Sequence, residues 1–226
     1  MTDENRPFDI PGREPGREVA YRDRYVPDPY AAFASEGSGG IVGDLLTNKK
    51  GTWGIGSEGV PPPEGARYLA LMPSLTRGWV KWMGGKPVDA RMGLVHTGFT
   101  VPHRDTLGDL DVSQWEMFQD QPRDPWSEVL RLVLVALAPP HRELTFTGSS
   151  YGTKLALTAL CKEYSDSMVN GSDKFPVVEL ATHTRDTKSY GKIVGPSFRV
   201  VGWASVSEVR SSLKAGAGVR KLEEAI

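Results

Sequence analysis

A single cysteine, Cys161, stands in a chain of 226 residues. A disulfide framework is thereby excluded, and so is a zinc site built on cysteines. Long apolar runs are missing too. None approaches the roughly 18 residues of a membrane span, and the opening MTDENRPFDI has no signal-peptide apolar stretch. A soluble, cytoplasmic protein is expected. Net charge is also lacking, at −1, so no global field draws in nucleic acid or an anionic membrane. The four histidines, His96, His103, His141 and His183, show no metal-ligand spacing, and no metal or cofactor is called for.

What is abundant is glycine and proline, 25 and 17 residues, which predicts short elements and much loop. Charge is segregated. Eight acids and five arginines fall in residues 1–40, and seven acids face Arg123 alone in 105–128. Positive charge gathers in 67–91, with five bases against Asp89, and in 177–203, with four bases against Glu179 and Asp186.

These textures divide the chain into three. Residues 1–40 offer little apolar surface to offset ordering entropy and read as a flexible arm. Residues 41–204 read as one domain, and 205–226 as a tail or short helix. Asp44–Thr52 is ambiguous. Ala66–Met72 is strand-like, and Gly84-Gly85 between GWVKWM and KPVDARM signals a hairpin. Residues 98–128 form a long acidic excursion, either functional or ordered by its own Trp115, Phe118 and Trp126. The β-branched run Glu128–Ala138, stopped by Pro139-Pro140, is expected to pair with Glu143–Thr147. One convincing helix runs from Thr153 to about Met168, with Leu157, Leu160, Cys161, Tyr164 and Met168 on one stripe. Pro176–Arg185, Tyr190–Val194 and Ser197–Ala204 follow as strands. Strands, one helix, then more strands is an antiparallel β design rather than an alternating α/β one.

The stretch Gly148-Ser149-Ser150-Tyr151-Gly152 fits G-x-S-x-G, the elbow of serine hydrolases. Ser150 would then act with His183 and Asp166 or Asp173, yet no crossover helices follow it. As a P-loop it is damaged: Thr153 separates Gly152 from Lys154, and Leu155 replaces the magnesium-binding hydroxyl. The simplest reading is a strand turning into a helix, with Ser149 or Ser150 capping the first N–H groups.

Period-two bookkeeping sets Trp79, Lys81 and Met83 on one strand face, opposite Val80 and Trp82. It sets Arg199, Val201 and Trp203 opposite Phe198 and Val200, and Tyr190 with Lys192 opposite Ile193. Cations mark solvent faces because they are rarely buried unpaired. Trp79, Tyr190 and Trp203 would therefore stack on bases while Lys81, Lys86, Arg131, Lys192 and Arg199 follow phosphates, as single-stranded nucleic acid requires. A helix between ELTFT and PVVELATHT also suits the OB-fold, a five-stranded barrel with its helix between the third and fourth strands.

Together GWVKWMGGKPVDARMG, QWEMFQDQPRDPW, TFTGSSYG leading into LCKEY, and PVVEL with SYGKIVGPSFRVVGW resemble a group of phage and prophage proteins. That group is similar to OB-fold single-stranded DNA-binding proteins of phage replication and recombination. The likeness covers roughly residues 53–204 and implies a mainly β, OB-fold-like antiparallel five-stranded barrel with extra hairpins. It implies a non-catalytic partner of single-stranded DNA or RNA, working with its own copies or with replication and recombination proteins. The ending KLEEAI departs from the acidic tails common in such proteins. A small serine hydrolase or a structural phage accessory protein are the alternative expectations.

Overall fold

The computed structural model describes residues 40–187 and 191–208. The expected arm, most of the expected tail and Tyr190 lie outside the described residues. In chain order the strands are β1 (Asp44–Lys49), β2 (Thr52–Ile55), β3 (Arg67–Ala70), β4 (Thr76–Met83), β5 (Lys86–Leu94), β6 (Glu116–Phe118), β7 (Gln121–Arg123), β8 (Trp126–Ala136) and β9 (Glu143–Gly148). The helix α1 (Tyr151–Val169) comes next, then β10 (Phe175–Thr187) and β11 (Gly191–Ala204). The fold is mainly β, with its main sheet curled into a half-barrel.

The expectation of five strands is corrected: nine strands join in the main sheet, and β6–β7 form a separate hairpin. Local pattern identifies individual strands, but pairing between distant segments decides how many share a sheet. The ambiguous Asp44–Thr52 segment supplies β1, which pairs antiparallel with β2 and parallel with β9. The two expected strands around Tyr190–Ala204 merge into β11, with Pro196 inside it opposite Thr182. Among the described residues β11 is hydrogen-bonded only to β10, and on an edge strand a proline is tolerated.

The long strand β8 organises the rest. One edge pairs with β9, as the sequence pattern predicts. The other edge is served by two strands in series, β4 along Trp126–Arg131 and β3 along Leu134–Ala136. Between them the chain leaves the ladder in a short 3-10 turn, Met72–Ser74. There Leu71 N–H donates to the Val133 carbonyl at 3.0 Å, and Val133 N–H donates to Ser74 Oγ at 2.9 Å. The Ser74 hydroxyl thus replaces a missing backbone partner.

On its far side β3 pairs with β10, which pairs with β11. The curl brings the β1–β2 hairpin back towards this pair. Trp53 Nε1 donates to the Ala181 carbonyl at 2.9 Å, and its ring lies 5.4 Å from Phe146 and 5.7 Å from Phe198. α1 closes the core with Thr153, Ala156, Leu157 and Leu160 buried. Its apolar stripe starts one turn earlier than its leucine spacing suggests and fades beyond the half-buried Tyr164, leaving Met168 exposed. No helix among the described residues is long and apolar enough to cross a membrane.

Candidate nucleic-acid interface

The GSSYG stretch is the bend from β9 into α1. A side chain at Gly148 would collide with Thr153, so the turn is built around the missing Cβ. Ser150 is the N-cap: its Oγ accepts from Thr153 N–H at 3.1 Å and lies 3.0 Å from Thr153 Oγ1. Among the described residues no hydrogen bond joins Ser150 to a histidine, and His183 is exposed on β10. Lys154 reaches Glu128 at 3.3 Å. No group of three or more potential metal ligands occurs among the described residues.

The acidic excursion is ordered, and it changes the surroundings of the two first candidates. Trp79 is half-buried, and its indole N–H donates to the Pro102 carbonyl at 2.9 Å. Lys81 pairs with Asp109 at 2.9 Å. Asp109 also accepts from Trp126 Nε1 at 2.9 Å, and its backbone carbonyl accepts from Trp115 Nε1 at 2.8 Å. The bonds from Lys81 and Trp126 hold the Asp109 carboxyl below the ordinary range. Arg104 grips Asp124 with two bonds of 2.7 Å and also reaches the Gly108 carbonyl. Partial burial pushes the Asp124 carboxyl up, but Arg104 and the Trp126 N–H outweigh it and the net shift is downward. Trp79 and Lys81 are therefore parts of a brace rather than an open platform.

Arg131 sits mid-sheet between Thr76 and Thr147, half-buried, and burial pulls its pKa down. The chain enters the domain over this same region. Val42 N–H donates to Thr145 Oγ1 at 2.8 Å, and that hydroxyl donates to the Val42 carbonyl at 2.7 Å. Thr145 is fully covered as a result. Gly43, at φ 66°, passes so close to the Glu143 carbonyl that no side chain would fit.

Strand β11 keeps the predicted faces only as far as Val200. Val178 pairs with Val200 and Val177 with Gly202, so Val201 is an extra residue, and Trp203, opposite Pro176, falls on the Phe198 and Val200 face rather than with Arg199. Phe198 is buried and Val200 packs on the core, whereas Arg199 and Val201 are exposed and Trp203 is half-exposed. Arg199 and Arg67 both bond to Glu179, which lowers the Glu179 pKa. Two guanidiniums on one carboxylate leave this outer face net positive. Lys86, at the β4–β5 turn, and Lys192, opposite Asp186, are exposed and make no ion pair among the described residues.

The indole N–H groups separate the six tryptophans more sharply than burial does, since a buried indole finds an acceptor. Trp53, Trp79, Trp115 and Trp126 all donate to protein oxygens. Trp82 and Trp203 have no such partner among the described residues. Trp82 is absent from the sequence-derived set because alternation puts it beside Val80. The register shift there places the extra residue, Val88, on β5, so β4 keeps its own alternation and Trp82 shares the face of Val80. Val80 is 1% exposed, while Trp82 lines a surface cleft with Gly85, Glu116, Arg123, Asp124 and Pro125.

No family model matches the chain, and no curated protein and no solved structure matches it either.

Proposed function

We propose that this protein holds single-stranded nucleic acid through exposed rings and cations, without catalysis. The observation that carries the reading is the division of the tryptophans. Of the two whose indole N–H is left over, Trp82 and Trp203, the first stands beside cations that no acid pairs with among the described residues. Arg123 lines its cleft and Lys86 lies at the adjoining turn, while the net positive Arg67–Glu179–Arg199 trio lies on the face of the β10–β11 pair opposite to Trp203. Such rings stack on unpaired bases with little regard to sequence, and the cations follow phosphates.

The connectivity supports an OB-like description. If β3 and β4 count as one interrupted first strand, then β8, β9, β10 and β11 are the second to fifth, with α1 between the third and fourth. The first pairs with the second and the fourth, the second with the third, and the fourth with the fifth. The β1–β2 hairpin stands beside β9, where the barrel would otherwise close. OB-folds bind oligonucleotides with the loops after their first and fourth strands, and Lys86 and Arg123 belong to the first of these. A place in phage-type replication or recombination is what the sequence resemblance adds.

The test is a salt series of mobility shifts on oligo-dT, with duplex of equal length as control. Binding at low salt that weakens steeply as salt rises is expected. No shift at low salt, or tighter binding to duplex, overturns the reading.

A further inference from the structure

We infer that the cleft beside Trp82 receives one base of the bound strand and favours guanine, an inference that rests on the nucleic-acid reading above. The cleft measures about 250 Å³. That is below the range of pockets for drug-sized ligands, and of the right order for one base. One wall is the Trp82 indole, on a backbone whose Trp82 amide N–H donates to the Pro125 carbonyl at 2.8 Å. Glu116 and Arg123 lie directly opposite each other on β6 and β7.

Opposed charges on paired strands usually meet, and these two do not. Glu116 Oε1 instead accepts from Gly84 N–H at 2.7 Å. The Arg123 guanidinium lies over the Phe118 ring, 5.1 Å from its centroid. Among the described residues neither forms an ion pair, so one carboxylate oxygen, Oε2 of Glu116, and one guanidinium are left to a ligand. The neighbouring acid does not compete for that role. Both oxygens of Asp124 are occupied by Arg104, and one also accepts from Trp126 N–H.

An ionised carboxylate only accepts hydrogen bonds. It therefore selects by the donors on a base's pairing edge. Guanine presents N1–H and the N2 amino group side by side. Adenine and cytosine set their single amino group next to a ring nitrogen acceptor, and thymine flanks its N3–H with two carbonyls. Only guanine meets Glu116 without an acceptor facing the carboxylate at close range, and its O6 lies on the side that a guanidinium serves. That edge is occupied in a duplex, so the preference belongs to unpaired strands.

The experiment titrates the full chain with fluorescently labelled oligo-dT carrying one central guanine, adenine or cytosine, at fixed low salt. The guanine strand should bind roughly tenfold more tightly than the adenine strand, the discrimination of one well-made base contact. Glu116→Gln keeps an acceptor for Gly84 N–H and should bring the guanine, adenine and cytosine strands to equal affinity. Trp82→Ala should weaken every strand by roughly tenfold. Equal affinities for the three strands in the wild-type chain, or a guanine preference that survives Glu116→Gln, overturn the inference and leave the nucleic-acid reading standing. Failure of every strand to bind removes both.

Discussion

Trp79 and Trp82 lie on the same strand, three residues apart, and their surroundings differ completely. The excursion folds over Trp79, closes its N–H with Pro102 and neutralises neighbouring Lys81 with Asp109. At Trp82 the same excursion contributes the β6–β7 hairpin, whose Glu116 and Arg123 stand apart at a cleft. One acidic segment thus does two things. Asp109 and Asp124 fix the sheet through partners that they find, while the β6–β7 hairpin between them leaves charge unspent beside a ring. Acid content alone distinguishes neither, since what matters is whether each carboxylate meets a donor within the fold.

The contrast is broken most severely from the braced side. Trp126 is 4% exposed and donates to Asp109, so Trp126→Ala should cost about 3–5 kcal/mol, read by thermal or urea unfolding. A loss below 1 kcal/mol, about what a surface site shows, would mean that the brace carries no stability. Acid offers a second way in. A carboxylate with a depressed pKa adds stability above its unfolded value, near 4, and that contribution disappears as pH falls through the folded value. Asp109 and Asp124 are both depressed. Acidification below about pH 4 should therefore release the excursion first, seen as a tryptophan fluorescence shift ahead of the far-UV circular dichroism change. Asp109→Asn should blunt that first step, and coincident transitions would show that the brace and the core open together. The smallest effect sharpens the comparison. Trp79→Phe retains a ring but loses the bond to Pro102, costing about 1 kcal/mol with oligonucleotide affinity unchanged. A drop in affinity equal to that of Trp82→Ala would erase the distinction between the two rings.

Much of the local structure was legible. Gly84-Gly85 marks the β4–β5 turn, Pro139-Pro140 precedes the return into β9, and Ser150 caps α1. Each of these depends on neighbours in sequence. What escaped depends on distant partners. The parallel pairing of β1 with β9 joins segments a hundred residues apart in kind with Val42 and Thr145, whose separation is 103. Alternation assigns Phe198, Arg199 and Val200 of β11 correctly but misplaces Trp203, because the extra residue Val201 resets the phase; on β4 it groups Trp82 with Val80 correctly, but burial on that face ends before Trp82. Residue type alone marks Lys81 and Arg131 as solvent-facing. Lys81 meets an acid from a segment with no pattern of its own, and Arg131 lies where the chain enters over the sheet.

The Ser74 hydroxyl accepts from Val133 N–H and donates to the Leu71 carbonyl at 2.6 Å. It works as a rivet where two separate ladders abut on one rail. The stretch bearing the cleft and the stretch bearing β10 and β11 are consequently joined at that seam by one side-chain oxygen beside one backbone bond, and a threonine would bring an equivalent hydroxyl to it.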